Sequence, residues 1–215
     1  MPYRFIPFVD GQYYHIYNRG SEKRSIFEAR RDYQRFLKTV KYYQIEGPKP
    51  KFSHFPNLTV NRLDETKKII EIVAYCLMPN HFHFLIKQSR EGGITEFIRK
   101  VSNSYAKYYN TKYSRVGPLL QGTFKAVLIE TDEQLLHVSR YIHLNPISSF
   151  LVKELNQYKW SSYEEYTTKS STNLCSKEEI LGFFKNLKDY QQFILDQIDY
   201  AQKIEIIKHQ LIDED

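Results

Sequence analysis

Two histidines one residue apart, His81 and His83, stand in the stretch YCLMPNHFHFLIKQ at residues 75–88, flanked and separated by phenylalanines. On an extended strand alternate side chains share a face, so both imidazoles point one way and Phe82 and Phe84 point the other. Paired neutral imidazoles a few Å apart can hold a divalent metal ion. The same spacing also occurs in strands where it is only structural. A second polar set lies in HVSRYIHLNP, where His137, Tyr141 and Asn145 are spaced four apart and form one stripe of a helix. Leu135, Val138 and Ile142 fall on a different side and are expected to pack on a sheet. Asparagine offers an oxygen ligand. Tyrosine offers a nucleophilic hydroxyl, which needs a base or a polarised electrophile because its ordinary pKa is about 10. A packed ring is the plainer reading for any single one of the 18 tyrosines. His137 could orient Tyr141 or move a proton, although a satisfied core histidine is the plainer reading, and His143 lies off the stripe.

The elements that must position these residues follow from periodicity. QYYHIYNRG, 12–20, alternates and ends in a turn, as a strand does. Residues 30–44 carry Tyr33, Phe36, Leu37, Val40 and Tyr43 at helical spacing. A polar, proline-containing stretch over 46–68 reads as a long loop. Two apolar runs around MPN predict a hairpin ending at Gln88. Residues 94–110 predict a helix with Ile94, Phe97, Ile98, Val101, Tyr105 and Tyr108 on one face and Lys100, Asn103, Lys107 and Asn110 on the other. TFKAVLIE predicts a fourth strand. Thr131 with Gln134 has the pattern of a capping box opening a helix that Pro146 ends. The order β-α-β-β-α-β predicts an α+β fold, a ferredoxin-like antiparallel sheet with helices on one face. A C-terminal helical extension follows. SKEE at 176–179 is a second capping pattern, with Ile180, Phe183, Phe184 and Leu187, then Phe193, Ile194, Ile198 and Ala201, at helical spacing. The boundaries are a sheet domain over 1–168 and the extension over 169–215.

Composition narrows the class. The 215 residues suit one domain with an appendage. No run of about 18 apolar residues exists and no secretory leader is visible, so the expectation is a cytoplasmic protein that does not span a membrane. Cys76 and Cys175 are too few for a disulfide framework. A net charge of +6 favours an anionic partner.

YCLMPNHFHFLI together with SRYIHLNP resembles the single-tyrosine HUH transposases, in particular the REP-associated tyrosine transposases and their insertion-sequence relatives. YYHIYNRGSEKRSIF, GPLLQGTFKA and YKWSSYEEY are similar to the same family, in order, over residues 12–166. The resemblance implies a ferredoxin-like catalytic domain acting on single-stranded or hairpin DNA. It implies that His81 and His83 bind one divalent ion, Mg²⁺ or Mn²⁺. The nucleophile position matches Tyr141, and the third ligand position, four residues later, matches Asn145. It implies cleavage and rejoining through a covalent 5′-phosphotyrosine. Phosphate contacts are expected from Arg19, Lys100, Lys107, Lys112, Arg115, Lys125 and Arg140. Leu120 and Thr123 stand where the family commonly has Trp and Arg, a departure that bears on DNA affinity or hairpin specificity rather than on the metal site.

Other classes remain open at this stage. A domesticated hairpin-binding module would not need His81, His83, Tyr141 and Asn145 together. A metal phosphodiesterase using water would not depend on Tyr141. An RNA-binding protein with stacking aromatics would leave the histidine pair unexplained. The extension could dimerise, contact DNA or cover the sheet, and a homodimer is one arrangement open to the chain.

Overall fold

The structure is a computed structural model, and it describes residues 7–47, 52, 64, 66–168 and 174–204. Most of the expected 46–68 loop lies outside the described residues. Four strands form one antiparallel sheet: β1 (Tyr13–Arg19), β2 (Ile70–Met78), β3 (His81–Gln88) and β4 (Lys125–Ile129), in the spatial order β2-β3-β1-β4. With α1 (Arg30–Tyr43) and α2 (Gly93–Lys112), they make the split βαβ arrangement expected from the order of elements. β2 and β3 are joined by only Pro79 and Asn80, so Met78 pairs directly with His81.

Each face of the sheet has its own core. Tyr14, Ile16, Phe82, Phe84 and Ile86 pack with Phe36 and Val40 of α1 and with Phe97, Val101 and Tyr105 of α2. The opposite face carries Val73, Ala74, Cys76, Met78 and Leu85, covered by Leu135, Ile142 and Ile147 of α3 (Asp132–Ser148). Burial on both faces is why β2 reads as a nearly unbroken apolar run instead of an alternating one. It is an edge strand, yet its edge is covered. Leu77 N donates to Trp160 O at 2.9 Å, Ser162 N to Tyr75 O at 2.9 Å and Ser176 N to Ile72 O at 2.8 Å. Covering the edge removes a template for pairing with another chain.

Three local features differ from the sequence expectations. Pro146 does not end α3, which runs on to Ser148. The proline sits in the last turn, where Ser149 N still reaches Asn145 O at 3.0 Å and Leu151 N reaches Pro146 O at 2.9 Å, so one missing donor is tolerated. The start of α3 is capped by Thr131 Oγ1, which accepts from Gln134 N, but the Gln134 side chain reaches back to Glu130 N instead of Thr131 N. The Ser176 box does not form: α5 (Glu178–Leu181) begins after Lys177, because Ser176 is held by its backbone on β2. The better cap is Asn186, whose side chain accepts from Lys188 N and Asp189 N and opens α6 (Leu187–Leu195).

The extension does not stand apart. Ile180, Tyr190 and Ile194 belong to the same buried cluster as Leu135 and Ile142, together with Tyr163 and Tyr166 of the short α4 (Tyr163–Thr167). At full burial, side chains of this size contribute about 1.5–3 kcal/mol each, so the extension and α3 support one another.

Candidate functional site

The register of the sheet fixes which side chains meet. Directly opposed residues of antiparallel strands lie on one face. β1 pairs with β3 as Arg19↔His81, Tyr17↔His83 and His15↔Leu85, and with β4 as Tyr17↔Lys125 and His15↔Val127. One face therefore carries His81, His83, His15, Tyr17, Arg19 and Lys125. α3 covers the β2 and β3 half of this face and leaves the β1 and β4 half more open, where Lys125 and Val127 are exposed.

Tyr141 comes from α3 to the edge of that cover. Its ring lies 5.5 Å from the His83 ring and 5.9 Å from the His15 ring, edge-on to both, and it is 42 % exposed. The helix thus supplies a half-covered phenol beside the histidine pair within one chain. His81 and His83 have ring centroids 5.0 Å apart and planes nearly perpendicular. Asn145, one turn on, is buried, and its Nδ2 donates to Tyr141 O at 2.9 Å. With the amide nitrogen held there, Oδ1 is the atom left to act as a ligand.

Imidazole nitrogens and an amide oxygen are donor types that ligate divalent ions. Among the described residues no three His, Cys, Asp or Glu side chains come together as a metal cluster.

His15 is a site neighbour that sequence spacing did not single out. Its Nε2 lies 2.9 Å from His83 Nδ1, and the rings stack at 5.1 Å. Burial pushes its pKa down to about 4, so it is a neutral imidazole at neutral pH. The alternation of QYYHIYNRG did place it on the same face as Tyr17 and Arg19, and only the β1–β3 register joins it to His83. Tyr17 stacks on both His15 and His83.

The expected DNA-contacting cations divide by position. Arg19 and Lys125 lie on the face of the histidines, and Arg19 Nε donates to Gln121 Oε1. Lys100 and Lys107 belong to α2, which packs on the other face of the sheet, and Lys100 Nζ is 2.6 Å from Glu96. Lys112, at the end of the same helix, donates to buried Asp32 at 2.6 Å. Arg115 sits after that helix and bonds to Asn110. Arg140 turns away from Tyr141: its guanidinium lies 4.1 Å over the Phe193 ring and donates to Phe193 O. It also donates to His137 Nδ1, so His137 is drawn to α6 and away from the tyrosine. His143 is buried between Ser162 Oγ and the Tyr190 hydroxyl, each at 2.7 Å, and burial holds its pKa down at about 3.

At the far end of the face, Lys87 lies 3.6 Å from Glu179 of α5, and the Tyr13 hydroxyl donates to the same carboxylate.

The model of the IS200-like transposases matches residues 59–145, a stretch that includes His81, His83 and Tyr141 and ends on Asn145. Over that stretch, less than half of the chain, the sequence is similar to the IS200-like transposases. These are the single-tyrosine HUH transposases that the motifs resemble. The solved structure of a REP-associated tyrosine transposase bound to a REP hairpin is 16 % identical, with a TM-score of 0.55, covering 77 % of this chain and 84 % of that one, and it shares the fold. A candidate transposase from Deinococcus radiodurans is 12 % identical with a TM-score of 0.38, covering 65 % of this chain and 95 % of that one. Among curated proteins nothing matches the chain. Among the described residues no helix is long and apolar enough to cross a membrane.

Proposed function

We propose that this chain is a transposase that cleaves and rejoins single-stranded DNA, with Tyr141 as nucleophile and a hairpin beside the cleavage site as the recognised feature. The observation that carries this reading is the Tyr141 ring 5.5 Å from His83 on the face that also holds His81. His81, His83 and the Asn145 oxygen would hold the ion. A bound Mg²⁺ or Mn²⁺ would polarise a non-bridging oxygen of the scissile phosphate. The Tyr141 oxygen attacks phosphorus in line, its proton is lost, and the 3′-oxygen leaves and takes up a proton. The strand stays attached through a 5′-phosphotyrosine. Attack by another 3′-hydroxyl reverses the step, and the preserved bond energy removes any need for ATP. Arg19 and Lys125 hold backbone phosphates on the face of the histidines. The histidines and Tyr141 meet within one chain, so a dimer is not needed to complete the set. Support for a hairpin partner comes from the structural neighbour, which was solved on a REP hairpin.

The test is a denaturing gel that detects a covalent protein–DNA adduct. Labelled single strands from DNA flanking the gene are incubated with Mn²⁺ and either wild type or Tyr141→Phe. The expected result is an adduct with wild type alone. Cleavage without adduct would favour a hydrolase using water, and Tyr141→Phe cutting at the wild-type rate would remove the tyrosine from the reaction. Titration calorimetry with Mn²⁺ checks the ion site, where the double change His81→Ala and His83→Ala should abolish binding.

A further inference from the structure

Each histidine of the pair is met at Nδ1 by a neighbour. For His81 that neighbour is Asn80, whose Oδ1 lies 2.6 Å away. The amide is oriented by its other end, because Asn80 Nδ2 donates to Lys23 O at 3.2 Å. An amide oxygen only accepts, so His81 carries its ring proton on Nδ1 and its lone pair on Nε2. For His83 the neighbour is His15, with Nε2 to Nδ1 at 2.9 Å, a contact that one ring proton bridges. The proton can sit on either nitrogen, and the two choices leave His83 with opposite tautomers.

We propose that His15 is a positioning residue that accepts the Nδ1 proton of His83, so that both histidines of the pair present an Nε2 lone pair. Ligating histidines commonly donate their other ring N–H to a second group, which fixes tautomer and ring orientation together. Here the fixing groups differ in kind. One is the asparagine of the tight turn between β2 and β3, and the other is an imidazole from β1. The geometry around His15 holds it in place for this role. It stacks on Tyr17 at 5.0 Å and meets Tyr141 edge-on at 5.9 Å. His15 Nε2 is turned to His83 Nδ1, so the nitrogen it brings to the pair is engaged with a ring and not with the space between His81 and His83. The choice of tautomer rests on the reading of His81 and His83 as ligands, because the 2.9 Å contact by itself admits either one.

Long-range ¹H–¹⁵N spectra of the metal-free protein report the tautomer of each histidine directly. Wild type should show His83 protonated on Nδ1, and His15→Phe, which keeps a ring but removes the acceptor, should lose that preference. Mn²⁺ titration should show the Kd of His15→Phe raised about 10–100-fold. His15→Gln restores an acceptor oxygen and should stay within about threefold of wild type on that same scale. A wild-type His83 protonated on Nε2 overturns the proposal, as does an unchanged Mn²⁺ affinity in His15→Phe or a His15→Gln as weak as His15→Phe. If the double change at His81 and His83 leaves Mn²⁺ binding intact, the ligand reading fails, and the metal-free spectra still decide the part played by His15.

Discussion

Replacing Tyr190 by phenylalanine deletes one oxygen from the buried relay that ties α6 to the helix carrying Tyr141. Tyr190 is fully buried, and its hydroxyl meets His143 Nδ1 at 2.7 Å. His143 Nε2 meets Ser162 Oγ at 2.7 Å, and that oxygen lies 3.2 Å from Tyr75 O on β2. With a neutral His143 every group is satisfied: Tyr190 donates to Nδ1, Nε2–H donates to Ser162, and Ser162 donates to Tyr75 O. Phenylalanine keeps the ring and its stacking on Tyr166, so little cavity is made. What remains is a buried acceptor with no donor, which costs about 1–3 kcal/mol. For a chain of this length each kcal/mol moves Tm by about 2–4 °C, so the melting temperature should fall by about 2–12 °C. Calorimetric or circular-dichroism melts measure this directly. A Tm within about 1 °C of wild type would refute the claim that the extension is locked to α3 through this relay.

Three further outcomes follow from the placement of charges. Arg19→Ala and Lys125→Ala should weaken single-strand binding and each lower the salt slope by about 1, whereas Lys100→Ala and Lys107→Ala, behind the sheet, should do neither; equal losses in filter-binding titrations would contradict the proposed approach to the site. Arg140→Ala should lower Tm through its lost contacts with Phe193 and leave DNA affinity unchanged; weaker binding at an unchanged Tm would return Arg140 to the phosphate contacts. Burial alone would raise the Asp32 pKa, but Lys112, Tyr113, Tyr108 and the Ala29 N–H outweigh it and hold it below 3.8. The stabilisation by Asp32 is therefore present above about pH 4 and is lost as pH falls through the lower folded value, so the urea-midpoint penalty of Asp32→Asn should be larger at pH 7 than at pH 2.

Local periodicity made much of this chain legible. Alternation put His81 and His83 on one side of a strand, four-residue spacing put Tyr141 and Asn145 on one stripe, and the order of strands and helices predicted the split βαβ sheet. Each of these needs only the geometry of a single element or the succession of elements. The family motifs pointed to the same residues. Tertiary structure alone decided what those side chains meet. His15 reaches His83 across 68 residues because β1 pairs with β3 in one register, and a shift by one residue would have turned it to the other face. Lys100 and Lys107 were legible as an exposed helical face, but which side of the sheet that helix covers is set by the core of Phe36, Phe82, Phe84 and Phe97. Arg140, next to Tyr141 in sequence, points elsewhere because successive helical residues diverge by about 100° and α6 offers it a carbonyl and a ring. Spacing along one element fixes a direction in that element's own frame, and only packing between distant elements converts directions into contacts.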